Sequence, residues 1–510
     1  MTAALRAAIA RSHDADRTPD PVYSPLHALG RRQLSPIDLL GQSLSTIAPA
    51  TGMVFIALWM VSHQPGVTGL AAIAATTAVV SLVAVCITQF TRRLAAAGSL
   101  YSFVFQGLSA RATLTTGTAL LLGYLGISIS VLANAADSLL GVAVALGHRP
   151  PQPGAQLAVV ALIAVTVTVI AVRGVRFATR AILVVEICSL ALIVAVMIGS
   201  PAEASTAAAV PHSPMSIMPF LAMLTVLSMA GFESSAFFGP EAKRPLATVS
   251  RTVLISPVIC GALFVFAAWA ALAGHGSVIV GAYFEGTASG ASVELVLAVK
   301  IGMTCSWFAS TLGCAQAGSR LLYSMGVERV LPTSLARVHR RFRTPYVAVT
   351  TFTVAGLGGA LLFSLTVLGD AAGFNGVVEI ALVSAYTLVA AASLRFLNRI
   401  GEHTVLSRAA AVAVTLVGGS LLVYIVVDGV AHRFWAVPAA LVTIALSGTV
   451  WYRILRRVRP DSLATIGAFD SVETADILPG AGRLVIDDDG RRRILPDPGP
   501  GPHVAGGDRP

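Results

Sequence analysis

Charge is what this chain has least of. Only 12% of its 510 residues are Asp, Glu, Lys or Arg, while 55% are hydrophobic; an ordinary soluble domain carries about 25% charge. That balance excludes both a soluble globular protein and a disordered one. The five cysteines (Cys86, Cys188, Cys260, Cys305 and Cys314) all fall inside apolar runs. None forms a Cys-x-x-Cys or Cys/His spacing, so they read as small buried apolar residues and not as metal ligands. The ten histidines are scattered. Neither a phosphate-cradling Gly-rich loop with its Lys nor a Ser-nucleophile elbow appears, which argues against an ATP-driven pump and an intramembrane hydrolase. No catalytic residue, metal site or organic cofactor is assigned, and the chain is not expected to be an enzyme.

What the chain does have is apolar length. A helix needs roughly 20 apolar residues to cross a bilayer, and twelve such runs are expected at about 37–61, 67–90, 113–145, 154–173, 181–200, 216–241, 252–275, 291–324, 346–368, 374–397, 405–427 and 433–455. The basic residues test this division, because Lys and Arg collect in cytoplasmic loops. Arg31 and Arg32 precede the first run, and Arg92, Arg93 and Arg111 follow the second. Further clusters are Arg173/Arg176/Arg180, Lys243/Arg244/Arg251, Arg329/Arg337/Arg340/Arg341/Arg343 and Arg395/Arg399/Arg408. The alternate loops hold only Arg149 and Arg433. The pattern places both termini in the cytoplasm of a multi-pass cell-membrane protein. It also explains the formal charge of +10 without a nucleic-acid partner. Residues 1–34 read as a cytoplasmic arm with no cleavable signal peptide, 35–455 as the membrane domain, and 456–510 as a disordered cytoplasmic tail.

Two of the twelve runs are interrupted near their middles, at Ile47-Ala48-Pro49-Ala50-Thr51-Gly52 and at Met229-Ala230-Gly231-Phe232-Glu233-Ser234. A break at membrane depth is costly unless it lines a protected cavity. Matched breaks in the two halves of a chain point to the substrate site of a transporter near the bilayer midplane. The helix restarting after the first break exposes N–H groups at Ala50, Thr51 and Gly52, with Pro49 suited to its first turn, and these fit a carboxylate. The helix ending at the second break leaves carbonyls around Ala230 and Gly231 that fit an ammonium group. Facing one another, the two ends suit a zwitterion; alternatively Pro49 and Gly231 simply kink packed helices.

Three stretches resemble the amino acid–polyamine–organocation (APC) transporter family: Gly231-Phe232-Glu233 through Glu241-Ala242-Lys243-Arg244-Pro245, Ala95 to Tyr101, and Ser319-Arg320-Leu321-Leu322-Tyr323 followed by Leu331-Pro332, His339 and Thr344-Pro345. The chain departs from that pattern at Ala95 (usually Pro), Ser99 (usually Gly), Gln316 (often Asn) and in Ala48-Pro49-Ala50, where the family has Gly-x-Gly. The resemblance implies an all-α, LeuT-type membrane fold: two inverted five-helix repeats at about 37–200 and 216–397, helices 1 and 6 broken, and two further helices at 405–455.

It also implies roles. Phe232 is expected to cover the substrate as an aromatic gate, and Glu233 either to line the site or to brace the broken backbone. Ser310 and Thr311 resemble a sodium-holding hydroxyl pair. Glu186 stands where relatives carry a coupling Lys, in a strongly apolar stretch where a bare carboxylate is costly. It is a candidate carrier of H⁺ or Na⁺, or else a partner of Arg176 or Arg180. Asn134, Asp137, Lys300, Glu379 and Tyr386 are secondary candidates for cavity lining, Arg320 for an inner gate or lipid contact, and Asp38 for pairing with a loop arginine. The expected function is secondary transport of an amino acid or related amine. The alternatives are a polyamine or amino-alcohol carrier and a non-transporting sensor. The oligomeric state is open.

Overall fold

A helix in lipid must close its own backbone hydrogen bonds, and the chain supplies caps and prolines where its helices start. The computed structural model describes residues 29, 33–149, 152–200, 214–366, 371–402, 404–467, 483–486 and 492–495. Arg31, Arg32, most of the N-terminal arm and the bulk of the tail lie outside these.

The first span is two helices, α1 (Pro36–Ile47) and α2 (Pro49–His63). Ser35 caps α1 through Asp38 in a reciprocal capping box, and Pro36 fills the first turn. There follow α3 (Gly66–Thr91), the short α4 (Leu100–Gly107), α5 (Ala110–Ala145), α6 (Pro153–Val172) and α7 (Val175–Gly199). The next span is also in two pieces, α8 (Pro214–Ser228) and a 3-10 run, Ser234–Glu241. Beyond it come α9 (Pro245–Leu272), the short α10 (Gly276–Phe284), α11 (Val293–Val327), α12 (Tyr346–Thr366), α13 (Ala371–Ile400), α14 (Val405–Ala431) and α15 (Ala436–Val458). Counting α1 and α2 together, eleven helices among the described residues are long and apolar enough to cross a membrane; the α8 segment is the shorter, interrupted one. The short helices α4 and α10 lie in connections that the apolar runs leave blank.

The long helices α5 and α11, of 36 and 35 residues, pack on one another, and α1, α2 and the 3-10 run pack against α11. On the periphery α14 and α15 expose rows of Val and Leu, among them Leu416, Val423, Leu446 and Val450. That is the surface expected of helices bordered by lipid. Leu34 and Ala242 form a parallel bridge that joins the chain before α1 to the end of the 3-10 run.

The expected all-α membrane fold stands; beyond it, Arg483–Ile486 pairs antiparallel with Arg492–Leu495. One expectation is corrected: residues 456–467 are not disordered tail. α15 runs on to Val458, and a short helix α16 (Pro460–Thr465) docks on the bundle with Ser462 and Ile466 buried. Average composition hid it, because two apolar residues three apart, Leu463 and Ile466, are enough to seat one helical turn.

Close helix approach sets one stability test. A Cβ built on Gly107 of α4 falls 2.1 Å from the Ala392 carbonyl oxygen of α13, a backbone atom that cannot step aside. Gly107→Ala should therefore lose about 1–3 kcal/mol, read as a lowered melting temperature in detergent. Gly154→Ala, where a Cβ meets nothing within 4 Å, should leave the melting temperature unmoved.

Candidate functional site

At the first break Ala48 adopts a left-handed conformation (φ 56°, ψ 62°) and its N–H closes α1 on the carbonyls of Leu44 and Ser45. Pro49 then starts α2 without wasting an N–H. The Ala48 carbonyl accepts from the Thr51 and Gly52 N–H groups, both at 3.1 Å, and from Thr51 Oγ1 at 2.7 Å. The N–H of Ala50 faces the carboxyl of Glu186 on α7. Glu186 is buried, accepts from Ser306 Oγ at 3.0 Å, and keeps Oε2 without a well-aligned hydrogen bond. Glu186 pairs with neither Arg176 nor Arg180; Arg180 lies 3.5 Å from Asp38 instead.

The second break runs over residues 229–233. Gly231 has φ 96°, and a Cβ there would sit 2.5 Å from Thr46 Cγ2. Both the backbone conformation and the close approach to the first break require glycine. Glu233 is fully buried; Tyr124 donates to its Oε1 at 2.8 Å and Tyr386 to its Oε2 at 3.0 Å. The same carboxylate stands against the backbone N–H groups of Gly231 and of Glu233 itself. Thr46 knits the two breaks to α11. Ser234 donates to its Oγ1 at 3.1 Å, Ser310 donates to its carbonyl at 2.8 Å, and Gln42 donates to both Thr46 Oγ1 and the Gly313 carbonyl.

Between the breaks and the end of the bundle remote from the arginine-rich loops lies a cavity of about 310 Å³. The helix ends contribute Thr46, Thr51, Gly52, Ser228 and Ala230, and the walls include Phe55, Ser130, Asn134, Leu224, Trp307 and Asn375. Among the described residues, no charged side chain lines it. Of the residues singled out in the sequence, Thr51, Gly52, Ala230, Ser310 and Asn134 reach the cavity. Ala48, Pro49, Ala50, Gly231, Glu233, Glu186 and Thr311 stand behind it, Thr311 bonding its own helix at the Trp307 carbonyl.

Phe232 does not line the cavity. It is fully buried, with its ring 5.6 Å from that of Tyr386. The aromatic cover comes from Phe55 and Trp307, whose centroids are 6.0 Å apart. Nothing in the sequence separates Phe55 from an ordinary packing residue. Tyr386 serves Glu233 and not the cavity, and Glu379 stays outside its lining. At the remote end Lys300 sits over the Tyr283 ring at 4.7 Å and Asp137 accepts from Gln156.

Towards the arginine-rich end the path is shut. Arg320 of α11 donates to both carboxylate oxygens of Glu241 (2.6 and 3.2 Å) and to the Gln316 carbonyl, and stacks 3.9 Å from the Phe238 ring centre. Both charged groups are at most 2% exposed. The chain before α1 covers the pair, with Gln33 and Leu34 donating to the Glu241 carbonyl.

A family described as amino acid permease matches residues 42–455. The branched-chain amino acid permease BcaP of Bacillus subtilis is 28% identical over 197 residues, 36% of this chain and 40% of that protein. BcaP of Lactococcus lactis subsp. cremoris is 30% identical over 174 residues, 32% of this chain and 34% of that protein. The chain thus aligns with less than half the length of either relative. Among solved structures, a mutant of the Eremococcus coleocola manganese transporter superposes with a TM-score of 0.54 at 12% identity, covering 90% of this chain and 99% of that one. The same transporter in complex with an aromatic bis-isothiourea substituted compound gives 0.53 at 13% identity, covering 90% and 98%. These likenesses establish the APC-type, LeuT-like fold.

Removing one partner of a buried ion pair strands the other charge, at about 3–5 kcal/mol. Arg320→Ala should therefore sharply lower thermal stability, and adding Glu241→Gln to it should restore most of the loss. A double variant as unstable as Arg320→Ala alone would contradict this.

Proposed function

Because the chain belongs to the amino acid permease family, we propose that it is a secondary active transporter that moves a neutral, apolar α-amino acid across the cytoplasmic membrane by alternating access. The observation that carries this reading is a cavity whose described lining is uncharged and which is bounded by two helix ends of opposite polarity. The start of α2 at Thr51–Gly52 offers a positive dipole end to the substrate carboxylate. The carbonyls that close α8, around Ser228 and Ala230, receive the ammonium. Phe55, Leu224 and Trp307 supply apolar surface for the side chain, in keeping with the branched-chain permeases among the relatives. A polyamine needs carboxylates in the cavity; none of the described lining residues carries one, and Glu233 behind it is committed to two tyrosines. Phe232 and Glu233 then act from behind the site, by shaping the second break. The arginine-rich loops put both termini in the cytoplasm, so the cavity opens outward and the Arg320–Glu241 closure is the inner gate.

Transport is coupled to H⁺ or Na⁺ at Glu186, with the hydroxyls of Ser306 and Ser310 one helical turn apart on α11. Glu186 and a substrate carboxylate compete for the same N-terminus of α2. A cation on Glu186 removes that competition, so cation and substrate raise one another's affinity.

Reconstituted protein should take up leucine-like amino acids, and uptake should be blocked by excess apolar amino acids but not by their decarboxylated amines. Failure of every amino acid to enter or compete would defeat the substrate class. Imposed proton and sodium gradients, applied separately, identify the ion. Glu186→Gln should abolish gradient-driven accumulation while sparing exchange; unchanged accumulation would remove Glu186 from coupling.

A further inference from the structure

Where the docked C-terminal segment meets the closed end of the bundle, its backbone reaches a buried carboxylate. α11 ends at Val327, and Glu328 follows it about two turns beyond Arg320. Tyr101, in the first turn of α4, donates to Glu328 Oε2 at 2.6 Å, and the backbone N–H of Gly467 donates to Oε1 at 2.6 Å. Thr465 Oγ1 donates to the Glu328 carbonyl at 2.6 Å, and Ser462 Oγ to the Arg329 carbonyl at 3.2 Å. Ile466 is fully buried. Gly467 is left-handed (φ 64°) and lies so close to Phe105 of α4 that a Cβ would fall 2.3 Å from the ring. Glu328 itself is 2% exposed. Three parts of the chain distant in sequence therefore share one buried anion: α4 in the loop between spans two and three, the end of the gate helix α11, and residues 462–467.

We propose that residues 462–467 are a latch on the inner gate, and that Glu328 is the positioning residue that holds it. The proposal rests on the alternating-access reading above. For the arginine-rich end to open, α4 and the end of α11 must part, and Glu328 cannot then keep both Tyr101 and Gly467. While the tail is docked, separation strips a buried carboxylate of a donor and uncovers Ile466. Releasing the tail removes that penalty. The segment lies just past the last membrane helix and reaches solvent on the loop side of the bundle, where Pro460 and Asp461 are exposed. A cytoplasmic factor that binds the tail is thus able to set how readily the gate opens.

The test is labelling of a gate cysteine in the full-length protein reconstituted in liposomes. Ser324→Cys serves as reporter, on a background with the five native cysteines replaced by alanine. Ser324 is buried on α11, and its hydroxyl packs against Gly98 in the loop leading to α4. Thr465→Val should speed maleimide labelling by about fivefold, the shift expected from losing one net hydrogen bond, and truncation after Arg459, which loses three, by more. Thr465→Ser, which keeps the hydroxyl, should stay within about twofold of the parent. Glu328→Gln should raise labelling and also abolish amide-exchange protection at 462–467. If Glu328→Gln does not fold, the truncation and the Thr465 pair decide alone. Parental labelling rates in the truncated protein, or equal rates for Thr465→Ser and Thr465→Val, overturn the latch. Labelling needs no substrate, so a failed uptake screen would remove the transport reading without touching this result, and the converse holds.

Discussion

Glu233 accepts hydrogen bonds from the hydroxyls of Tyr124 and Tyr386 and stands against the broken backbone at Gly231. Two helices and a non-helical turn meet at this one buried carboxylate, and the architecture of the site depends on it. In a bilayer the freed N–H groups of a broken helix have no water to turn to. Here the Glu233 side chain faces those of Gly231 and of Glu233 itself, backbone carbonyls take those of Ala230, Phe232 and Ser234, and the tyrosines hold the carboxylate in place. Thr46 extends the same logic to the first break, receiving Ser234 and Ser310 while its methyl group fills the space that only a glycine at 231 leaves open. The breaks are therefore features of one polar network, and not flexible points.

That economy decides what the cavity can recognise. Polar groups that a substrate might have met directly are already engaged: Thr51 and Gly52 with the Ala48 carbonyl, Ala50 with Glu186, Glu233 with its tyrosines. What reaches the cavity is the field of the helix ends together with walls that are mostly apolar and carry a few neutral polar side chains, among them Ser130, Asn134 and Asn375. A field of that kind favours a ligand with charges of both signs close together and an apolar remainder. It holds little for a ligand with several positive charges.

The fold was legible because its signals are redundant. Apolar run length and arginine placement mark the spans independently, and the Gly-Phe-Glu stretch locates the break. Redundancy ends where tertiary contacts decide. Phe232 carries the strongest sequence argument for covering a ligand, yet its ring turns to Tyr386, and Phe55 and Trp307 line the cavity instead. A break residue in a sequence has no visible direction, and the orientation of a side chain after a non-helical turn is set by neighbours more than a hundred residues away. Tyr124 was equally hidden, since a tyrosine within an apolar span is common and only its distance to Glu233 gives it a role. The tail segment escaped for the opposite reason: a polar average concealed the two apolar residues that seat it.

The two ends of the site differ in kind, and the difference bears on how the molecule can move. On the remote side the cavity is bordered by rings, and the charged Lys300 and Asp137, which are not among its lining residues, keep some exposure and can be rehydrated at little cost. On the arginine-rich side a dry, bidentate Arg320–Glu241 pair is covered by Phe238 and by the chain before α1. A buried pair of this sort contributes little net stability, because desolvation offsets its Coulomb attraction, but half-breaking it is expensive. The arrangement therefore favours two end states, closed and dry or open with both charges in water, over any partly opened form. A protein that must never open at both ends together gains directly from that bistability, since the costly intermediate is also the one that would leak.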